Sequence, residues 1–130
     1  MIIRTLDEIK NTNRDVNWGN GHSYRFLLES DQMGFTLTET TVAAGTESLI
    51  QYRDHVEACY CVEGEGEIEL DGKIYPLQAG TMYAPNNHDV HYLRASKDKA
   101  LRLICVFLPA LRGQEKHDFT KDPSVSVSSY

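Results

Sequence analysis

The sequence predicts an all-β chain, a small antiparallel barrel or sandwich, from three observations. Short runs rich in Val, Ile, Tyr, Phe and Thr recur between Gly, Asp and Asn signals. The pair Asp71-Gly72 joins two such runs as a two-residue hairpin, because Gly tolerates the positive φ of a type I′ turn. Helical spacing of apolar residues is confined to Leu6 and Ile9, behind a Thr5 that can cap a short helix. In chain order the expected strands are Tyr24 to Leu28, Gly34 to Val42, Glu47 to Tyr52, Glu57 to Glu63, Gly66 to Leu70, Lys73 to Pro76, Thr81 to Ala84, His91 to Arg94 and Leu101 to Leu108. Gly64-Glu65-Gly66 is expected to be a tight reversal between two of them.

A chain of 130 residues fits one domain with a core of useful size. We expect that domain to span residues 1–118, with the Ser-rich, proline-broken stretch 119–130 as a mobile tail or a lid that orders on ligand binding. Few core residues are expected after Arg112. Nineteen acidic against 13 basic residues give a net charge of -6, which repels a phosphate backbone and argues against nucleic acid as a partner. The first residues, MIIRTLDEIKNTNRD, hold no apolar signal core, and no run approaches the roughly 18 apolar residues of a membrane span, so a cytoplasmic protein without a membrane partner is expected. Cys59, Cys61 and Cys105 are too few and too unevenly spaced for a disulfide framework or a zinc site. Small core residues are the simplest reading, a thiol lining a pocket the alternative.

Two stretches carry motif spacing. Gly45, Gln51, Arg53, Glu57 and Gly64 stand at the positions of the first cupin motif, a glycine, five residues, His-x-His, three residues, Glu, six residues and a second glycine, with both histidines replaced. Gly72, Gln78, Gly80, Tyr83 and Asn87 match the second motif in register, with tyrosine where a histidine ligand is usual. The register predicts a cupin-type barrel, jelly-roll-like, without the ordinary ligand set.

Strand alternation sends Glu57, Cys59 and Cys61 to one face and Ala58, Tyr60 and Val62 to the other. If the first face is the barrel interior, the Glu57 carboxylate needs a partner, since burying it alone costs several kcal/mol. That partner is either Arg25 or Arg53 in a buried salt bridge, or a metal shared with Tyr83 and with His91 on the returning strand. Such an oxygen, oxygen and nitrogen set, open to further ligands, suits Fe(II) or another first-row ion, zinc included, better than a closed structural zinc site.

The segments His55-Val56-Glu57-Ala58, Glu63-Gly64-Glu65-Gly66, Gly80-Thr81-Met82-Tyr83-Ala84 and His91-Tyr92-Leu93-Arg94-Ala95, with Glu39-Thr40-Thr41 and Cys105-Val106-Phe107, resemble ectoine synthase, a cupin-fold family. The similarity runs from Ile2 to about Asp118. It implies a hydro-lyase, usually a homodimer, that closes N-gamma-acetyl-2,4-diaminobutyrate into the cyclic amidine ectoine, a compatible solute of salt-stressed bacteria. It implies iron ligands at Glu57, Tyr83 and His91, and a substrate pocket built from Arg25, Thr40, Tyr52, Cys105, Phe107, Glu115 and His117. Cyclisation needs an activated amide carbonyl, a base for the attacking amine and an acid for the departing oxygen. Tyr52, Glu115 and His117 are the candidates for acid and base, and Arg25 for a bidentate clamp on the substrate carboxylate.

Three positions depart from the family. Gly21 stands where a tryptophan is usual, with Trp18 three residues early, so an aromatic wall of the pocket is expected to be missing. Thr38 replaces Asn or His, and Gln51 replaces His. A non-catalytic cupin that binds a small polar ligand, or a cupin enzyme acting on a related substrate, are the competing readings.

Overall fold

In the computed structural model, described here for residues 1–119 and 127–130, two antiparallel sheets face each other across a shared interior. A short helix, α1 (Leu6–Ile9), precedes twelve strands: β1 (Asp15–Asn17), β2 (His22–Leu27), β3 (Thr36–Val42), β4 (Glu47–Ile50), β5 (Val56–Glu63), β6 (Glu65–Leu70), β7 (Lys73–Gln78), β8 (Met82–Tyr83), β9 (His91–Ala95), β10 (Leu101–Leu108), β11 (His117–Asp118) and β12 (Val127–Ser128). One sheet runs β1-β2-β3-β10-β5-β8 and the other β4-β9-β6-β7, while β11 and β12 form a separate ribbon. β10 enters between β3 and β5, so the last long strand closes the first sheet around residues far earlier in the chain.

All nine expected strands are present, their ends shifted by no more than two residues. Thr5 caps α1 by accepting the Glu8 N–H at 3.3 Å. Glu57, Cys59 and Cys61 are buried on β5 while Tyr60 is 49% exposed, as the alternation requires. On β10, Leu101, Leu103, Cys105 and Phe107 point inward by the same rule.

Asp71 and Gly72 have φ of 50° and 81°, and Leu70 pairs with Lys73 across them, which is the expected hairpin. Gly64-Glu65-Gly66 is not a reversal. β5 and β6 lie in different sheets, and Gly64, at φ 95°, turns the chain from one to the other. A Cβ on Gly64 would lie 2.0 Å from the Ala100 carbonyl oxygen and one on Gly66 2.1 Å from that of Arg94, so both positions require glycine for close backbone approach. Alternation cannot distinguish a hairpin from such a corner, because both need glycine.

The stretch after Arg112 corrects the expectation of few core residues. Glu115, His117 and Tyr130 are all buried, and Phe119 packs against the core cluster. β11 pairs with β12, His117 opposite Ser128 and Asp118 opposite Val127, which returns Tyr130 to the interior. The part of the expected mobile tail at residues 120–126 lies outside the described residues. Among the described residues, no helix is long and apolar enough to cross a membrane.

Candidate active site

Between the two sheets lies a cavity of about 20 Å³, room for about one water molecule. Thr40, Tyr52, Glu57, Cys59, Tyr83, Cys105 and Phe107 line it, together with Trp18 and Tyr130. The register explains the convergence. Phe107 is opposite Glu57, Cys105 opposite Cys59, and Cys59 in turn opposite Tyr83, so β10, β5 and β8 deliver their inward residues to one level of the barrel.

Glu57 is the unusual member of this set. Its Oε1 is buried with no hydrogen-bond partner, and among the described residues neither Arg25 nor Arg53 pairs with it. Burial pushes its pKa up to about 7; the thiols of Cys59 and Cys105 and the hydroxyl of Tyr52 pull the other way, though none bonds Oε1. The same desolvation, reinforced by the nearby carboxylate, holds the Tyr52 and Tyr83 hydroxyls well above the ordinary phenol range.

Tyr83 forms the wall between this cavity and an outer groove on which His91 lies. The two rings meet edge to face at 6.1 Å. His91 Nδ1 sits 3.0 Å from the Asp89 carbonyl oxygen, which can only accept, so the proton belongs on Nδ1 and leaves the Nε2 lone pair free. That Nε2 is buried and, among the described residues, without a hydrogen-bond partner. Burial lowers the pKa of His91, which keeps the ring neutral and able to act as a ligand. An unmatched carboxylate oxygen, a phenol and an oriented, unmatched imidazole nitrogen are donors that fit a divalent cation.

The remaining predicted residues stand behind the cavity. Arg25 is fully buried, and its guanidinium donates to Ser23 Oγ, to the carbonyl oxygens of Gly113 and Glu115, and to the Tyr130 hydroxyl at 2.9 Å. Glu115 Oε2 and Oε1 accept the backbone N–H groups of Arg112 and Gly113, with Arg25 3.7 Å away. Burial raises the pKa of Glu115, but those N–H groups and the guanidinium outweigh it and keep the carboxylate ionised. His117 stacks on Tyr130 at 4.6 Å between ring centroids and lies 5.4 Å from Tyr52; among the described residues neither of its nitrogens has a hydrogen-bond partner. Burial, then the neighbouring His91 imidazole and the Arg25 guanidinium, which both oppose a second positive charge there, bring its pKa down to about 3. Arg25, Glu115 and His117 therefore reach the cavity through Tyr130 rather than forming its wall.

Comparison with known proteins gives the family of the chain. A family model described as ectoine synthase matches residues 1–122. The L-ectoine synthase of Vibrio parahaemolyticus is 49% identical over 119 residues, covering 91% of this chain and 93% of the relative. The chain belongs to the ectoine synthase family. The crystal structure of ectoine synthase from P. lautus superposes with a TM-score of 0.83 at 44% identity, over all of this chain and 91% of that one. A Cupin 2 barrel protein from Salinispora arenicola, 21% identical with a TM-score of 0.65 over 83% of this chain and 88% of its own, shares the fold alone.

One departure from the ectoine synthase pattern is resolved differently from expectation. The aromatic wall is present, because Trp18 lines the cavity and donates from Nε1 to the Thr41 carbonyl oxygen at 2.9 Å. The turn from Trp18 to Gly21, closed by the Trp18 N–H on the Gly21 carbonyl, carries the indole inward. A Cβ at position 21 would stand 2.0 Å from the Thr41 oxygen and 3.1 Å from the indole nitrogen, so the shifted tryptophan and the glycine belong together. Thr38 is buried with its hydroxyl 2.8 Å from that of Thr40. Gln51 donates to the His88 carbonyl oxygen, away from the cavity. Sequence reasoning missed Tyr130 and held the pocket-lining role of Cys59 only as the alternative to core packing. The only available signal for Tyr130 was an aromatic in a Ser-rich stretch.

Proposed function

We propose that this chain catalyses the ring-closing dehydration of N-gamma-acetyl-2,4-diaminobutyrate to ectoine, as a metal-assisted hydro-lyase of the cytoplasm serving osmotic protection. The observation that carries this reading is Glu57. A buried carboxylate with an unmatched oxygen and, among the described residues, no arginine partner, in one cavity with Tyr83, whose ring meets that of His91, is what a metal-dependent member of the family needs and what a metal-free binding module does not. Glu57, Tyr83 and His91 would hold the ion, Fe(II) by preference with zinc or another first-row metal as alternatives. When bound, it supplies Lewis-acid polarisation of the substrate's amide carbonyl.

The chain's own groups supply the rest. Tyr52, neutral throughout the working pH range because burial raises its pKa, is the proton donor to the departing oxygen. His117, whose nitrogens have no hydrogen-bond partner among the described residues, is the acceptor for the amine proton once the site opens and relieves the burial that depresses its pKa. Glu115 folds the 112–115 loop and positions Arg25, rather than exchanging protons. Thr40, Cys105, Phe107 and Trp18 shape the wall that folds the substrate toward its attacking conformer.

A cavity with room for one water does not admit a diamino acid, so substrate entry requires Tyr130 to leave. Its hydroxyl already occupies one donor of Arg25, the position proposed for the substrate carboxylate. The ribbon of β11 and β12 would swing with it and close again over the bound substrate, excluding water that would reopen the product.

The test is a variant series on protein purified without chelator. Glu57→Ala, Tyr83→Phe and His91→Ala are expected to lose iron. Tyr52→Phe should retain iron and lower kcat, and Arg25→Lys should chiefly raise KM. Stoichiometric iron in Glu57→Ala would refute the ligand assignment.

A further inference from the structure

Neither the Cys59 nor the Cys105 thiol exchanges a proton or holds the ion in the reaction as described, yet the two face each other across β5 and β10 with sulfur atoms 3.1 Å apart, both fully buried. One ligand atom from each of Glu57, Cys59 and Cys105 lies within 4.8 Å of the others. A carboxylate oxygen of Glu57 belongs to this cluster, its Oε1 is buried with no hydrogen-bond partner among the described residues, and the cavity beside it has room for one water. We propose that Glu57, Cys59 and Cys105 form a second donor set, a carboxylate with two thiolates, that takes a thiophilic divalent cation such as Zn(II), Co(II) or Cd(II). A water molecule in the cavity completes four-coordination.

The set shares Glu57 with the Tyr83 and His91 centre, so one ion excludes the other. Ligand softness sorts them: two sulfurs favour zinc and cadmium, whereas oxygen with imidazole favours iron. Binding converts both thiols to thiolates and releases their protons to solvent, and no oxidant or reductant is needed. The geometry is near at hand. A tetrahedral ion about 2.3 Å from each sulfur spreads the pair to about 3.8 Å, a change that side-chain rotation on two facing strands can supply. Cys61 marks the contrast, since its thiol points to the Glu63 carbonyl oxygen and it does not line the cavity.

Cobalt titration of the whole chain under a non-chelating phosphine reductant tests this. Stoichiometric Co(II) binding should bring a near-ultraviolet sulfur-to-metal charge-transfer band. Cys59→Ser and Cys105→Ser should each weaken Zn(II) binding by at least the roughly 10–100-fold that loss of an outer-shell partner costs. The double variant should lose the band, and Cys61→Ser should keep it. His91→Ala should lose iron yet keep the band, which separates this site from the iron-ligand assignment. Should the cysteine variants fail to fold, cadmium NMR of the unaltered chain reads sulfur ligation directly. Cobalt bound without a thiolate band, a band that survives in the double variant or disappears in His91→Ala, or a cadmium resonance free of sulfur ligation would overturn the proposal.

Discussion

At Glu57 the physics of a single carboxylate sets how the metal-free protein responds to pH. Its folded pKa of about 7 stands above the ordinary 4.5, so its contribution to stability is fully present below pH 4.5 and is lost as pH rises through 7. That interval corresponds to about 3 kcal/mol. Glu57→Gln removes the charge and keeps the shape. After chelation, the variant should match the wild type in melting temperature near pH 4 and exceed it at pH 8. His117 works in the opposite sense, because a histidine held neutral down to about 3 loses stability as pH falls below 6.5, but it does so equally in both proteins and cancels in the difference. With iron present the order should reverse at pH 8, since Gln is the poorer ligand. A difference in melting temperature that does not vary with pH would show that Glu57 is solvated.

At the scale of elements, the segment after Arg112 does more than its composition suggests. Tyr130 stacks on His117 and Phe107 and bonds Arg25, which also holds the Gly113 and Glu115 carbonyls, so one buried guanidinium ties the returning ribbon to β2. Tyr130→Ala should lower stability by about 3 kcal/mol, as truncation of a buried aromatic does. Tyr130→Phe, losing only the hydroxyl, should cost about 1 kcal/mol. Denaturant titration measures both, and an unchanged midpoint for the alanine variant would remove Tyr130 from the core. The contrast with β5 shows what was legible in the sequence. Period-two alternation placed Glu57, Cys59 and Cys61 inside because that signal is local, and motif spacing then brought Tyr83 to the same cavity. Trp18 and Tyr130 were not legible, since their positions depend on a glycine turn against Thr41 and on a contact with Arg25 from the far end of the chain. Glu115 was legible as important but not in kind: its carboxylate binds backbone N–H groups, a role that residue type alone cannot distinguish from proton transfer.

Across the whole molecule, the outer face of the six-stranded sheet carries an apolar stripe. Val56 pairs with Leu108, Ala58 with Val106, and Tyr60 with both Ile104 and Met82; Leu108 is 53% exposed and Met82 59%. Among the described residues nothing covers this stripe, and we propose that it takes a second copy of the chain, the homodimer that the resemblance implies. Sedimentation should give the mass of two chains at micromolar concentration, falling to one in Tyr60→Lys; a single-chain mass for the unaltered protein would leave the stripe without its partner. Under the proposed function the surface and the interior would serve one activity, with paired barrels each enclosing a metal-dependent site. That activity is tested most directly by incubating the iron-loaded protein with N-gamma-acetyl-2,4-diaminobutyrate and following the cyclic product by mass spectrometry. The account predicts ectoine, lighter than the substrate by one water, formed in multiple turnovers and abolished by Glu57→Ala. Unchanged substrate in the presence of fully iron-loaded, folded protein would contradict it.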